Sequence, residues 1–186
     1  MFTNQLFEKA QMRYNCAIGT IEEMLAVAGK VDQDFISNLH NDFDILVQYT
    51  LLKIVVAKGS LSQNESKFID DITSEYDVLF LFDSYEDIDY DWEYVATYMG
   101  FEKAQHLLNR VASRANEHVN YFLKVLADVH LANPNKNYYD ALYKCLFDIA
   151  LYFDELNDAA TEKHVVEQTI NECFVEPWKR VQANLK

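Results

Sequence analysis

Glycine and proline are scarce in this chain of 186 residues, which contains four glycines and two prolines. A β-sandwich or β-barrel needs many turns, and turns are where these two residues concentrate. Their scarcity therefore disfavours an all-β fold and indicates long helices. The length is that of one domain, and half of the residues are hydrophobic, so the chain can build a single core.

Cysteine is also rare, with Cys16, Cys145 and Cys173 far apart along the chain. No Cys-x-x-Cys pair or Cys/His spacing typical of a zinc site occurs. We expect all three to be buried thiols on apolar helix faces, in a reducing compartment. A nucleophilic cysteine is the alternative, but the sequence places no histidine or oxyanion donor beside one.

Long hydrophobic runs are missing as well. The apolar runs at residues 54–57 and 78–82 are far shorter than the roughly 20 residues that cross a membrane. Residues 1–28 mix charged and apolar side chains, so the sequence predicts no signal peptide. We expect a cytoplasmic protein without a membrane segment.

Positive charge is in short supply, since 30 acidic residues face 16 lysines and arginines and the net charge is −14. Direct binding to nucleic acid requires clustered basic residues against the phosphate backbone. Anionic membrane surfaces attract basic segments for the same reason. The charge therefore argues against both as direct partners.

Catalytic and metal-binding motifs are absent too. The sequence has no glycine-rich phosphate loop, no HExxH and no Gly-x-Ser-x-Gly, and no histidine follows a glutamate at the spacing of a di-iron site. His106, His118 and His130 recur every twelve residues, a spacing that rotates about 120° around a helix. The three rings should therefore face different sides. We expect a protein that is not an enzyme.

What the sequence does contain is helical periodicity nearly throughout. We predict helices at residues 6–25, ending near Gly29, and from Asp32 to Gly59, with Phe35, Leu39, Phe43, Leu46 and Ile54 on its buried side. Ser62 and Glu65 form a capping box that opens a third helix. Further helices are predicted at 102–131, 139–153 and 161–174, with Pro134 breaking the chain and Pro177 kinking or restarting it. The fold prediction is all-α, a single compact bundle of six or seven helices over residues 1–186.

Two stretches of the chain are similar to each other, residues 51–62 and residues 146–157. In each, a helix ends, a small or acidic pair turns the chain, and Glu65 or Glu162 opens the next helix. The pattern suggests an internal helix-hairpin repeat with halves at 32–73 and 136–176. The same pattern also arises from ordinary helix-hairpin physics without any repeat.

This pattern resembles the tellurite-resistance TerB-like family over about residues 43–72 and, more weakly, 139–170. The family's helical repeats carry an Asp-Gly turn followed by a polar helix start. Here Lys58-Gly59 and Asp154-Glu155 stand at the two turns. The resemblance implies a compact helical bundle in bacterial stress or signalling systems, with no established catalysis.

Charge is concentrated in one region, which we call the acidic–aromatic segment, residues 68–102. It contains no lysine, arginine or histidine, and it holds eleven acids: Asp70, Asp71, Glu75, Asp77, Asp83, Glu86, Asp87, Asp89, Asp91, Glu93 and Glu102. Besides Phe68 at its start, nine aromatic residues are interleaved with them: Tyr76, Phe80, Phe82, Tyr85, Tyr90, Trp92, Tyr94, Tyr98 and Phe101. Aromatic side chains anchor interfaces, and surrounding charge steers a partner of opposite sign.

We therefore predict that the acidic–aromatic segment docks a basic protein. The predicted contact residues are Asp83, Tyr85, Glu86, Asp87, Asp89, Tyr90, Asp91 and Trp92. One alternative is that the aromatic rings fill the core while the acids only solubilise the surface. An acidic DNA mimic, which occupies the nucleic-acid site of a DNA-binding protein, is a special case of the docking hypothesis.

The same segment contains carboxylates at every second position, at Asp87, Asp89, Asp91 and Glu93, as the first half of a calcium loop does. Trp92 stands where the loop needs glycine, and Tyr98 where it needs a bidentate glutamate. We predict at most a weak site for Ca²⁺ or Mg²⁺ and no other cofactor. The alternative is a solvated loop.

These observations favour a non-enzymatic helical protein-interaction module with a basic partner, in the bacterial stress response. The first alternative is a metal-responsive stress protein of the TerB-like kind. An enzyme is the weakest hypothesis, because it would need carboxylates that only the fold brings together.

Overall fold

Helices account for nearly all of the chain that the computed structural model describes, which is residues 2–73, 101–156 and 163–185. Seven α-helices and one π-helical turn occur there, without a strand in these three ranges. Their bounds are α1 Phe2–Val27, α2 Gln33–Lys58, α3 Gln63–Ile72, α4 Phe101–Ala132, α5 Tyr138–Asp154, α6 Lys163–Ile170, the π-helical turn Asn171–Val175, and α7 Glu176–Asn184. The predicted all-α class is confirmed. None of the helices in these ranges combines the length and the hydropathy of a membrane-spanning segment.

The predicted helix boundaries have the expected local geometry. The Asp32 side chain accepts a hydrogen bond from the Phe35 backbone N–H at 2.9 Å and caps α2. Both hydrogen bonds of the Ser62–Glu65 capping box are present at the start of α3. Gly59 ends α2 with a φ of 86°, a left-handed conformation that glycine adopts without steric cost.

Helix α2 lies at the centre of the bundle, and its middle part is buried on all sides. Residues 42–52 are all buried, including the polar side chains of Asp42, Asp44, Gln48 and Thr50. The prediction of one buried side was therefore too narrow, because α2 contacts both α4 and the helices on its other sides. A helix surrounded in this way must bury residues around its whole circumference, and here some of them are polar.

Helices α1 and α5 form the most extensive helix pair of the described chain. The buried stripe of α1 includes Leu6, Ala10, Tyr14 and Ala17. The Nε of Arg13 lies 2.9 Å from the Oδ2 of Asp148 across the pair. One hydrophobic core contains residues from every described helix.

The C-terminal helices run through the π-helical turn without leaving the helical path. Helix α7 starts at Glu176 with Pro177 in its first turn, directly after the π-helical turn. This is the restart that the sequence predicts at Pro177. The Tyr139 ring of α5 stacks with both Phe174 and Trp178, and its centroid lies 4.9 Å and 4.6 Å from theirs.

The cysteine prediction is correct for two residues and wrong for the third. Cys145 and Cys173 are buried, and burial raises the pKa of the Cys173 thiol to about 11. Cys16 is exposed. It lies next to Ala17 in sequence, and one residue rotates 100° around a helix, which takes its side chain off the buried stripe of α1.

Candidate functional site

The predicted docking and cation-binding residues, from Asp83 to Glu93, lie outside the described residues. Docking and cation binding therefore stay predictions. What the structure does describe is the two ends of the acidic–aromatic segment, residues 68–73 in α3 and its C-cap, and residues 101–102 in α4. These ends determine how the segment is joined to the bundle.

The N-terminal end is fixed in the core by an aromatic contact and a hydrogen bond. Phe68 is 3% exposed, and its ring packs 5.5 Å from Phe7 and 5.3 Å from Phe153, measured between ring centroids. The Gln48 side-chain amide donates to the Thr73 hydroxyl oxygen at 2.7 Å, and both residues are buried. The chain therefore enters residues 74–100 from residues that are held in the core.

The C-terminal end of the segment also has an aromatic residue packed against the core, next to an acid that reaches solvent. Phe101 is half-buried and packs against the core, whereas Glu102 is exposed. In α3, Asp71 is exposed and forms a 2.9 Å ion pair with Lys67. At both ends the aromatic rings thus face inward and acids reach solvent. This arrangement fits the core-filling alternative for Phe68 and Phe101.

A buried ionic cluster joins the two turns on which the TerB-like resemblance rests. Lys58 forms an ion pair with Glu65, which is 1% exposed. Asp154, at 5% exposure, also attracts the Lys58 ammonium, although burial outweighs this attraction and lowers the pKa of Lys58. The Ser62 backbone N–H donates to Glu65 Oε2 at 2.7 Å. The chain thus supplies its own cation to two buried carboxylates.

Two further buried acids lie on α2 and face different helices. Asp44 accepts a hydrogen bond from the Tyr14 hydroxyl of α1. Asp42 lies 2.6 Å from His118 Nδ1 of α4. These acids do not converge with the Lys58 cluster, and the described part of the chain contains no group of three or more histidine, cysteine or carboxylate side chains able to hold a metal ion.

The Asp42–His118 pair lies in an open cleft of about 440 Å³. Burial raises the pKa of Asp42, and the hydrogen bond and charge of His118 partly oppose this shift. A histidine oriented by a carboxylate can act as a general base. The other described residues that line the cleft are Asn38, Asn41, Glu117 and Tyr121. None of them is a serine, threonine or cysteine, so the described lining offers no such nucleophile for the histidine to activate.

The three histidines of α4 have different surroundings, as their spacing predicts. His106 is exposed, His118 contacts α2, and the His130 ring lies 6.4 Å from the Trp178 ring of α7. They do not form a ligand ladder.

A second cavity, of about 370 Å³, lies between α2, α4 and α6, next to the π-helical turn. Such turns occur frequently at functional sites. Lys53 at this cavity lies 3.4 Å from Glu172. Burial alone would lower the pKa of Lys53, but the neighbouring Tyr49, Cys173 and Glu172 outweigh it and raise that pKa. The Lys53 ammonium is thus balanced by groups of the protein itself. The volume of the cavity is near the lower limit for sites that bind small molecules.

We predict that His40 makes the folded protein less stable as the pH falls. Its Nε2 is buried with no hydrogen-bond partner in the described residues. Burial lowers the His40 pKa below 6.5, and the charge of Glu22 only partly opposes this. The unfolded chain therefore takes up this proton at a higher pH than the folded chain, and the fold loses stability as pH falls through 6.5.

We expect His40→Leu to reduce the loss of unfolding free energy between pH 7 and pH 5, measured by urea denaturation. The matched control is His106→Leu, at an exposed position on α4. If both variants keep the acid sensitivity of the natural chain, His40 is not its source.

Comparison with known protein families, curated proteins and solved structures finds no match to this chain. The TerB-like resemblance therefore remains a prediction from the residues of the two turns. Function has to be argued from the chain's own charges and contacts.

Proposed function

We propose that the protein is a non-enzymatic helical interaction module that binds a basic protein partner through the acidic–aromatic segment. The observation that carries this proposal is the concentration of acidic charge in residues 68–102, with no basic residue among them. The place of the module in the cytoplasm and in bacterial stress response rests on the cysteine content and on the TerB-like resemblance.

The charge distribution supports a binding role more than a solubilising one. The remaining 151 residues contain 19 acids and 16 lysines and arginines, so most of the net charge of −14 lies in the segment. Acids crowded together with no basic residue among them repel one another and cost stability in the isolated protein. Solubility alone would be met by mixed charges spread over the surface.

The anchoring of the segment supports the same role. Its two ends start from the core contacts of Phe68, Thr73 and Phe101. A docking surface tethered at both ends loses less conformational entropy on binding than a free tail does. The aromatic residues between these anchors supply the apolar contacts that a purely charged surface lacks.

The buried acids of the described bundle favour a structural role over catalysis. Asp42, Asp44 and the Glu65–Asp154 pair occupy three separate places, and each place contains a histidine, tyrosine or lysine partner. A catalytic pair of carboxylates would share one cavity and shift each other's pKa. Lys58 forms an ion pair with Glu65 and is attracted by Asp154, so these two buried carboxylates already have a cation that the chain itself supplies.

The test is a charge reversal with a matched control. One variant carries Asp87→Lys, Asp89→Lys and Asp91→Lys. The control carries Glu8→Lys, Asp128→Lys and Glu155→Lys, at exposed positions outside the segment. Both have the same net charge, so only the location differs. We expect the segment variant to lose about tenfold in affinity for the captured basic partner, and the control to lose much less.

Capture from lysate of the native host at low and high salt supplies the partner, and titration with the purified partner gives the affinity. Screening by salt should weaken binding of the natural chain. Equal losses in both triple variants would show that the acids act only through net charge, against the proposal. Capture that needs Ca²⁺ would favour the metal-responsive alternative, and competition by DNA for the captured partner would identify a DNA mimic.

A further inference from the structure

The antiparallel pair α1 and α5 has a register that its side-chain contacts define. Lys9 of α1 lies with its Nζ 5.9 Å from the centre of the Tyr152 ring of α5. One turn further along α1, Arg13 forms its ion pair with Asp148, which is one turn back along α5. Each step of three or four residues along one helix is matched by an equal step back along the other.

The next step of this register places Cys16 opposite Cys145. Cys16 follows Arg13 by three residues, and Cys145 precedes Asp148 by three residues. The electrostatics agree with this placement. Burial chiefly raises the pKa of the Cys145 thiol, and Cys16 comes next among the causes, ahead of Arg13, Asp148 and Lys144. The register and the electrostatics together place the two thiols near each other across the helix pair.

The surroundings of the two thiols differ in a way that suits sequential oxidation. Cys16 is exposed, so an oxidant in solution can reach it. Cys145 is 6% exposed and is shielded from direct attack. Cys173, at 3% exposure, lies in the π-helical turn and is separate from this helix pair. An accessible thiol beside a second, sheltered one is the usual arrangement of a redox-sensitive pair.

We propose that Cys16 and Cys145 form a reversible disulfide when the protein is exposed to hydrogen peroxide. The Cys16 thiolate attacks one peroxide oxygen and breaks the O–O bond, which gives a sulfenic acid and releases hydroxide. The Cys145 sulfur then attacks the Cys16 sulfur, loses its proton and displaces a second hydroxide. Both hydroxides leave as water once protonated. The two thiols lose two electrons in total, and the peroxide gains them.

This disulfide would fix α1 to α5 across residues far apart in sequence. Closing so long a loop removes conformational entropy from the unfolded chain. The close approach that a disulfide needs is favoured by the small residues Ala10 and Ala17 on the buried face of α1, both 0% exposed. Oxidation would therefore stabilise the bundle without requiring a new fold. This inference is independent of the acidic–aromatic segment.

The experiment treats the natural chain and three variants, Cys16→Ser, Cys145→Ser and Cys173→Ser, with millimolar hydrogen peroxide. We expect the natural chain and Cys173→Ser to lose two hydrogens in mass, with a peptide map that links residues 16 and 145. Their midpoint of thermal unfolding should rise by about 5–10 °C and return to its original value with dithiothreitol. Cys16→Ser and Cys145→Ser should show neither the link nor the shift.

Two outcomes would overturn the inference. One is that Cys145 of the treated natural chain still reacts fully with iodoacetamide after denaturation. The other is that peroxide gives only intermolecular Cys16–Cys16 dimers, in equal amount in the natural chain and in Cys145→Ser. Either result would show that the exposed thiol reacts without its neighbour on α5.

Discussion

Replacing Lys58 with methionine is expected to lower the free energy of unfolding by about 3–5 kcal/mol. Methionine keeps most of the length of the lysine side chain but removes its charge. Glu65 and Asp154, which are 1% and 5% exposed, then keep their buried charges without the ammonium that balances them. Removing one partner of a buried ion pair costs far more than the pair contributes. Urea denaturation at pH 7 measures the effect.

Two matched variants separate this effect from a general loss of charge. Lys67→Met removes the ion pair between Lys67 and Asp71 on the exposed face of α3, where the Lys67 side chain is 75% exposed. It should cost less than about 1 kcal/mol. The double variant with Lys58→Met and Glu65→Gln should recover part of the loss, because glutamine can still complete the capping box with Ser62. A Lys58→Met effect no larger than that of Lys67→Met would contradict the argument.

The sequence predicted the ends of the helices well because the residues that define an end are close together in the chain. Asp32 caps α2 through Phe35, and Ser62 pairs with Glu65, each over three residues. Gly59 takes the left-handed conformation at the end of α2 because glycine has no Cβ atom and adopts a positive φ without steric cost. Local chemistry of this kind can be read without knowing the fold.

The polar contacts of the interior could not be predicted in the same way. Asp42 and His118 are 76 residues apart in sequence, and Gln48 and Thr73 are 25 apart. Periodicity tells which face of a helix is apolar, but not which helix will cover the other faces. For residues 42–52 of α2 every face is covered, so polar residues outside the predicted buried side are also buried and have partners.

The acidic–aromatic segment was predicted to be the binding site from its composition alone. Composition does not show where the residues of a segment lie in the fold. The charge imbalance of residues 68–102 can be counted directly. The anchoring of the segment by Gln48 and Thr73 depends on how α2 packs beside the end of α3, which no short motif encodes. The prediction that Cys16 is buried was wrong for a related reason. A small apolar residue next to a buried stripe can lie on either the buried or the exposed side of the edge of that stripe, and the sequence does not show which.

Replacing Phe68 with alanine is expected to cost about 3–5 kcal/mol of unfolding free energy, the usual range for a buried phenylalanine. The ring lies between Phe7 of α1 and Phe153 of α5, so its loss leaves a cavity where three helices meet. Phe68→Leu fills most of that space and should cost less than about 1.5 kcal/mol. Thermal or urea unfolding checks both values.

Measuring both the unfolding free energy and the affinity for the partner separates the two roles proposed for the aromatic residues of the segment, which are to anchor a partner or to fill the core. If Trp92 anchors a partner, Trp92→Ala should lower the affinity for the basic protein while leaving the unfolding free energy nearly unchanged. Phe68→Leu should do the reverse, with a measurable loss of stability and unchanged affinity at a temperature where the variant is folded. A Trp92→Ala variant that loses as much stability as Phe68→Ala would place Trp92 in the core. The aromatic residues would then fill the bundle, and the acids around them would serve solubility alone.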